Sequence, residues 1–235
     1  MKPFFKQISV VLFSFILIAG LTGCEATKNA NRAQKGAVIG AAGGALIGGI
    51  LGNNVGNKEN SALGAVIGGV VGGSAGAIIG DRMDKQAQKI EEEIPGAQVE
   101  RVDEGIIVTF DENSGVYFAT NKYDLNEESR TTLDKLANVL KEFPDTNILV
   151  VGHTDSTGPR DFNMTLSKNR AQSVTNYFVA QKSLSSGRIT TEWFGPDAPI
   201  ADNSTVEGRA KNRRVNVAIV PNEKMKQEAK KEAGE

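Results

Sequence analysis

The residues best suited to chemistry lie in one short stretch, Val-Gly-His-Thr-Asp-Ser-Thr-Gly-Pro-Arg, which runs from Val151 to Arg160. It contains His153, the only histidine of the 235 residues, two positions before Asp155. Such a pair could activate water in a hydrolase, or it could help to hold a ligand that is not cleaved. No second histidine, and no serine and acid at a recognisable spacing, accompanies it. The sequence therefore favours a binding loop beside an orienting or partly packed His153.

The composition narrows the possible ligands. One histidine and one cysteine are too few nitrogen and sulfur ligands for a tetrahedral zinc site, although a metal site made of carboxylates alone stays open. The 27 Lys and Arg residues nearly balance the 28 Asp and Glu residues, which gives a net charge of -1 and a sequence pI of about 6.0. This balance provides no basic field for nucleic acid. We expect no cofactor, no metal and no nucleic-acid partner.

The first 23 residues are typical of a secretory signal peptide. Lys2 and Lys6 precede an apolar run over residues 8–18, which is too short to span a bilayer comfortably. The segment ends in Leu-Thr-Gly-Cys at residues 21–24, which resembles the lipobox of bacterial lipoproteins. The resemblance implies cleavage before Cys24 and lipidation of that residue. A lone cysteine has no disulfide partner in an exported chain, which also favours a modified one.

The lipobox resemblance implies a membrane anchor. Three acyl chains on Cys24 would hold the mature N-terminus in a membrane, since one chain alone anchors only marginally. In enterobacterial lipoproteins an Asp after the cysteine favours retention in the inner membrane, so Glu25 implies sorting to the outer membrane. We predict a signal peptide over residues 1–23 and a lipidated linker over residues 24–35.

Residues 36–80 have the spacing of a glycine zipper. Glycine recurs every fourth residue except at Asn60, at positions 36, 40, 44, 48, 52, 56, 64, 68, 72, 76 and 80. This period lines one side of a helix with small residues, and two backbones can then approach closely, as in membrane helix pairs. We predict a helical hairpin with halves 36–52 and 62–80 that could also self-associate; it resembles the glycine-zipper domains of outer-envelope lipoproteins. A flexible Gly/Ala linker is the alternative.

Two charged segments flank the predicted globular domain. Residues 81–96 form a charged helical linker whose apolar stripe could extend the zipper, pair with another copy or lie on its own domain; the stripe consists of Met83, Ala87, Ile90 and Ile94. Residues 221–235 form a charged tail, which the sequence predicts to be a frayed helix or disordered.

Residues 97–220 alternate between strand and helix patterns. Two short strands flank a turn at residues 103–104, and helical patterns begin after Asn126 and near Leu166. Further strands are predicted at residues 148–151, 189–194 and 215–220. This order predicts an α/β two-layer sandwich with a βαβαβ core and its helices on one face.

Within this span the motifs resemble those of the OmpA-like C-terminal domain of Gram-negative envelope proteins. They are His153-Thr154-Asp155-x-x-Gly158, Asn163, Leu166-Ser167, Arg170-Ala171 and Gly208-Arg209-x-x-Asn212-Arg213-Arg214-Val215. The resemblance implies a domain that binds peptidoglycan without cutting it. It also implies that Asp155 meets the ammonium of diaminopimelate in the stem peptide and that Arg170 meets its carboxylate.

The residue types agree with such a ligand. A zwitterionic centre needs a carboxylate acceptor and a donor, and the planar guanidinium of arginine suits a carboxylate. Asp155 follows a strand at the edge where α/β folds place ligand crevices, and Arg170 lies on the next helix. The alternative is an internal salt bridge between Asp155 and Arg170 that binds nothing.

Other candidates surround this pair. Thr154, Thr157 and Asn163 could position amides of the loop or the ligand, although such residues more often close turns.

Thr120 and Asn121 follow Ala119, where the family often has Asp, and are expected to line the pocket. The resemblance implies that Arg209 and Arg213 mainly brace the fold, with Arg214 near the site.

Together these features predict a lipoprotein anchored in the outer membrane, with its globular domain in the periplasm, that tethers this membrane to peptidoglycan. An assembly or scaffold protein that acts mainly through the glycine zipper is the alternative, and a hydrolase that uses His153 and Asp155 is a third.

Overall fold

The computed structural model describes residues 71–102, 104–111 and 114–235. Its five-stranded sheet has the spatial order β1-β2-β5-β3-β4, with the β3–β4 pair parallel and the other neighbours antiparallel. The strands are β1 (Gln98–Val102), β2 (Gly105–Phe110), β3 (Thr146–His153), β4 (Ile189–Gly195) and β5 (Val215–Pro221). The helices are α1 (Gly73–Glu93), α2 (Glu127–Glu142), α3 (Arg160–Asn176), α4 (Val206–Asn212) and α5 (Glu223–Ala233). A π-helical turn, Tyr177–Gln181, extends α3, and a 3-10 turn, Ser186–Arg188, precedes β4.

The α/β sandwich predicted from the sequence is confirmed. Alternate residues of the central strands, such as Val150 and Val217, join side chains of α1, α2, α3 and α5 in the main core. The intervening residues, such as Val151 and Ala218, form a smaller cluster on the other face of the sheet. The predicted hairpin is also present, because Val102 pairs with Gly105 across its turn.

Helix α2 shows how local sequence sets an element boundary. The side chain of Asn126 accepts a hydrogen bond from the backbone N–H of Ser129 at 2.8 Å, and Glu127 and Glu128 occupy the first turn. Both features stabilise a helix N-terminus, as the sequence predicts. The buried face consists of Ser129, Leu133, Leu136, Ala137, Val139 and Leu140.

Helix α1 is part of the folded domain. It runs without interruption across the predicted boundary at residues 80 and 81, and Ile79, Met83 and Ile90 are fully buried in the main core. Burial of each such side chain contributes about 1.5–3 kcal/mol. Of the three possibilities left open by the sequence, the structure shows that this stripe lies on its own domain. Residues 73–80 of the second predicted zipper half therefore lie in a helix of this domain.

The remainder of the predicted hairpin, the signal peptide and Cys24 lie outside the described residues. In the part that is described, each helix is too short or too polar to cross a bilayer.

The C-terminal tail corrects a sequence prediction. Instead of fraying, residues 223–233 form α5, whose N-terminus is capped by the side chain of Asn222 at 3.0 Å from the N–H of Met225. Met225 and Ala229 are buried against the main core, and Arg82 of α1 forms ion pairs with α5. A short charged helix is marginal alone, and packing against α1 supplies the stability that its sequence lacks.

Candidate functional site

A cleft of about 350 Å³ opens at one edge of the sheet, where β3 and β4 end and β5 begins. Seven of the eight predicted binding residues line it: Thr120, Asn121, Thr154, Asp155, Thr157, Asn163 and Arg170. The eighth, Arg214, does not. The fold therefore brings together side chains that are up to 50 positions apart in the sequence.

The position of α3 depends on a glycine in β3. A Cβ atom at Gly152 would lie 2.1 Å from the backbone oxygen of Ser167 and 3.3 Å from the side chain of Ala171. Any larger residue would push α3 away from the strand. Because Arg170 lies between these two contacts on α3, the close approach sets its distance from the loop that follows β3.

Asp155 has both of its oxygen atoms engaged inside the protein. Oδ2 accepts a hydrogen bond from Arg213 Nη1 at 2.6 Å, and Oδ1 accepts one from the backbone N–H of Thr157 at 2.8 Å. Burial disfavours the charged form, but the bonds from Arg213 and Thr157 outweigh it and hold the pKa of Asp155 below its usual value. Asp155 is thus ionised at neutral pH. Its ion-pair partner among the described residues is Arg213. The internal salt bridge between Asp155 and Arg170, which the sequence left as an alternative, is therefore not the one observed.

Arg170 is 4% exposed and supports the opposite wall of the cleft. Its Nε donates to the carbonyl of Lys122 at 3.0 Å, and its Nη2 lies 3.5 Å from the carbonyl of Ala119. The guanidinium also lies over the ring of Phe118, 5.2 Å from the centroid. These contacts hold the turn that carries Thr120 and Asn121, and Asn121 adopts the left-handed φ of 58° that asparagine tolerates.

The polar residues of the other loop mostly hold the loop itself. The side chain of Asn163 donates to the carbonyl of Thr157 at 2.9 Å, and the N–H of Thr154 donates to the carbonyl of Gly195 at 2.9 Å. The Asn163 bond agrees with the turn-closing role that the sequence left open, whereas the hydroxyl of Thr154 is buried and has no hydrogen-bond partner among the described residues. Both residues also line the cleft, so they fix the shape in which a ligand would meet Asp155.

The three arginines near β5 differ from the sequence expectation. Arg214 is 2% exposed, donates through Nη2 to the carbonyl of Ala198 at 3.1 Å and has a pKa lowered to about 10 by burial. Arg209 and Arg213 line the cleft in addition to bracing the fold as expected, since Arg209 donates to the carbonyls of Asn203 and Ser204 and Arg213 pairs with Asp155. Arg213 is the C-cap residue of α4, whereas Arg214 lies between α4 and β5 and is buried.

Three further lining residues were missed: Tyr117, Phe118 and Leu166. Tyr117 is held through its backbone, because its N–H donates to Ser129 Oγ at 2.9 Å and its carbonyl accepts from the same hydroxyl at 3.1 Å. Its side chain is nevertheless among the exposed large apolar groups. No spacing rule in the sequence distinguishes such a residue from an ordinary core aromatic.

His153 does not reach the cleft. It is completely buried, and its ring stacks on Phe194 with centroids 5.9 Å apart. Burial, and secondly the charge of Arg214, hold the pKa of His153 well below its usual value, so the imidazole is neutral. Neither ring nitrogen has a hydrogen-bond partner among the described residues, so His153 and Asp155 are not hydrogen-bonded to each other as a catalytic dyad would be. No group of three or more metal-ligating side chains occurs within the described ranges.

Comparison with known proteins agrees with this architecture. The sequence profile of the OmpA family matches residues 117–213, and that of the YMGG-like Gly-zipper matches residues 1–84. The probable lipoprotein YiaD of Escherichia coli (strain K12) is 39% identical over 143 residues, which cover 61% of this chain and 65% of YiaD. Peptidoglycan-binding protein ArfA of Mycobacterium tuberculosis is 42% identical over 87 residues, which cover 37% of this chain and 26% of ArfA. The chain thus spans less than two thirds of either relative.

A solved structure supports the same grouping. The cell wall anchor of the T6SS from Pseudomonas aeruginosa superposes with a TM-score of 0.51 and 27% identity, over 60% of this chain and 97% of that one. The sheet order, the cleft at the end of β3 and the sequence matches lead to one conclusion. Residues 117–213 form a domain of the OmpA family, and a YMGG-like glycine-zipper segment precedes it.

Proposed function

We propose that this protein binds peptidoglycan non-covalently through its cleft and tethers it to the outer membrane. The observation that carries the proposal is the presence of an ionised Asp155 and of Arg170 in one small cleft. A zwitterionic amino-acid centre, such as the free end of diaminopimelate in a stem peptide, is the ligand that this pair of charges fits.

Asp155 can serve the ligand while it keeps its internal bonds. An ionised carboxylate has about four lone-pair positions, and the bonds from Arg213 and from the backbone and side chain of Thr157 leave room for a further donor. An ammonium group entering the cleft would add further charged hydrogen bonds to an acceptor that the protein already holds in place. Preorganisation of this kind lowers the entropic cost of binding.

The ligand class can be tested by competition. The full-length protein in detergent is sedimented with isolated peptidoglycan in the presence of diaminopimelate or of lysine, each acetylated at one α-amino group, so that the free end is a zwitterionic centre in the diaminopimelate compound and an ammonium without a carboxylate in the lysine compound. We expect diaminopimelate to release the protein at concentrations at which lysine does not. No sedimentation of folded protein, or equal release by both compounds, would contradict the proposal.

The membrane anchor is the second half of the proposal. Lipidation of Cys24 would place the OmpA-family domain at the end of a chain fixed in the membrane, as the name of the lipoprotein YiaD suggests for that relative. The intact mass of the mature protein should show a modified cysteine, and Cys24→Ser should change membrane fractionation. An unmodified Cys24 in the mature protein would refute the anchor and leave wall binding untouched.

A scaffold function is the second candidate because the YMGG-like Gly-zipper profile matches residues 1–84, which include the predicted hairpin. If the zipper drives self-association, leucine at Gly44 and Gly48 should lower crosslinking yields in membranes, because the larger side chains separate the backbones. Unchanged yields would favour a linker.

A further inference from the structure

The cleft carries more positive charge than one zwitterionic centre uses. Among the described residues that line it, the charged ones are Asp155, Arg170, Arg209 and Arg213. Arg213 pairs with Asp155, and Arg170 is the proposed partner of the ligand carboxylate. Arg209 is the cation that this scheme leaves without a role.

Hydrogen bonds to one nitrogen of its guanidinium fix the orientation of Arg209. Its Nη1 donates to the carbonyls of Asn203 at 3.0 Å and Ser204 at 3.2 Å. Within the described part of the chain, Nε and Nη2 have no hydrogen-bond partner and the side chain forms no ion pair. The Nε–Nη2 edge is a fork with the geometry that binds both oxygens of a carboxylate.

Arg209 lies beside a second guanidinium, that of Arg213. Arg213 follows Arg209 by one helical turn, with its N–H bonded to the Arg209 carbonyl at 3.0 Å, so the two guanidinium groups emerge on the same side of α4. Like charges at this spacing destabilise a helix, and Asp155 offsets Arg213 only. The dipole of α4 and the carbonyls of Asn203 and Ser204 explain why a hydrogen-bond donor occurs at position 209. They do not explain why the rest of the Arg209 guanidinium lines the cleft.

We infer that Arg209 binds a second carboxylate of the ligand, an inference that rests on the proposed function. In a cleft of about 350 Å³ this carboxylate belongs to the same amino acid or to its immediate neighbour. In diaminopimelate it is the carboxylate on the acylated carbon, which is free when the stem peptide ends there and is an amide when the peptide continues. The cleft therefore prefers stem peptides that end in diaminopimelate.

Two small probes test this preference. One is N-acetyl-diaminopimelate with both carboxylates free, and the other is the same compound with a primary amide at the acylated carbon. Calorimetry on the full-length protein in detergent should show that the free acid binds about tenfold or more tightly than the amide, as expected for a charged hydrogen-bonded pair. In Arg209→Gln this difference should fall below about threefold, while affinity for the amide stays nearly constant.

The controls separate this role from a structural one. Arg130→Gln removes an arginine that also donates to a backbone carbonyl, that of Leu125, outside the cleft, and should leave the preference intact. Arg209→Lys keeps the charge without the fork and should retain part of the preference.

Three results would overturn the inference. Equal binding of both probes by the wild type would refute the second carboxylate while the proposed function stands. An Arg209→Gln variant that binds both probes more weakly by the same factor, with a lower melting temperature, would make Arg209 a brace only. If neither probe binds the folded wild type, the proposed function falls together with the inference.

Discussion

The two ends of β3 carry the same kinds of side chain in different surroundings. Asp145 precedes the strand and pairs with Lys224, and the nearby Arg188 donates to the carbonyls of Leu140, Phe143 and Thr146. At the other end Asp155 pairs with Arg213, and Arg170 donates to a loop carbonyl. Of these two sets of side chains, only Asp155, Arg170 and Arg213 line the cleft described above. Residue type alone therefore does not distinguish a brace from a candidate binding group; the concave polar surroundings of Asp155 and Arg170 are what support the proposed binding role.

The largest expected effect on stability lies at the Arg188 end. Arg188→Ala leaves the last carbonyls of α2 and that of Thr146 without their donor, and we expect a loss of about 3 kcal/mol in the free energy of unfolding. Denaturant unfolding measures this change. Affinity of the folded fraction for peptidoglycan should be that of the wild type, and a specific loss of affinity would break the contrast between the two ends.

Arg170→Lys should show the opposite pattern. Lysine keeps the charge but loses the planar donor fork, so we expect affinity for a diaminopimelate peptide to fall about tenfold or more. The turn at residues 119–122 should also loosen, because its carbonyls lose their donor. Calorimetry measures the affinity and thermal melts measure the stability, so the two effects are separated. A lower melting temperature with unchanged affinity would show that Arg170, like Arg188, only stabilises the fold.

His153 gives the cleft end of β3 a pH dependence of stability. The imidazole is neutral when folded because burial lowers its pKa, whereas the unfolded chain takes up a proton below pH of about 6.5. Stability is therefore fully present above this pH and is lost progressively as the pH falls below it. Since the chain has one histidine, His153→Phe should remove this slope between pH 7 and 5. If the free energy of unfolding falls with pH in the variant as it does in the wild type, a neutral, buried His153 is contradicted.

Much of the cleft could be predicted because its residues belong to contiguous motifs. The segment from His153 to Gly158 and the run around Arg170 each lie on one loop or one helix, so their spacing survives folding. The choice between Arg213 and Arg214 required the position at which α4 ends and β5 begins, which the sequence does not fix to one residue. Arg209 and Tyr117 carry no local pattern that marks them as lining residues.

The domain boundaries were harder to predict for a related reason. Helix α5 is charged and has few apolar residues, so it is marginal alone. Its stability comes from burial of Met225 and Ala229 in the main core beside α1, a segment about 150 positions away, and the exposed ion pair of Arg82 with Glu232 adds little. The stripe of Met83, Ala87 and Ile90 predicted an apolar face but not its partner, because periodicity identifies a buried side and says nothing about what covers it.

The central claim, that Asp155 is a ligand-binding carboxylate rather than a brace, is tested most directly by comparing Asp155→Asn with Asp145→Asn. Both changes remove a charge from an ion pair at an end of β3. Affinity for a diaminopimelate peptide and the melting temperature are measured for each variant. We expect Asp155→Asn to lose about 30-fold or more in affinity while it stays folded, and Asp145→Asn to bind like the wild type. Wild-type affinity in a folded Asp155→Asn variant would contradict the account.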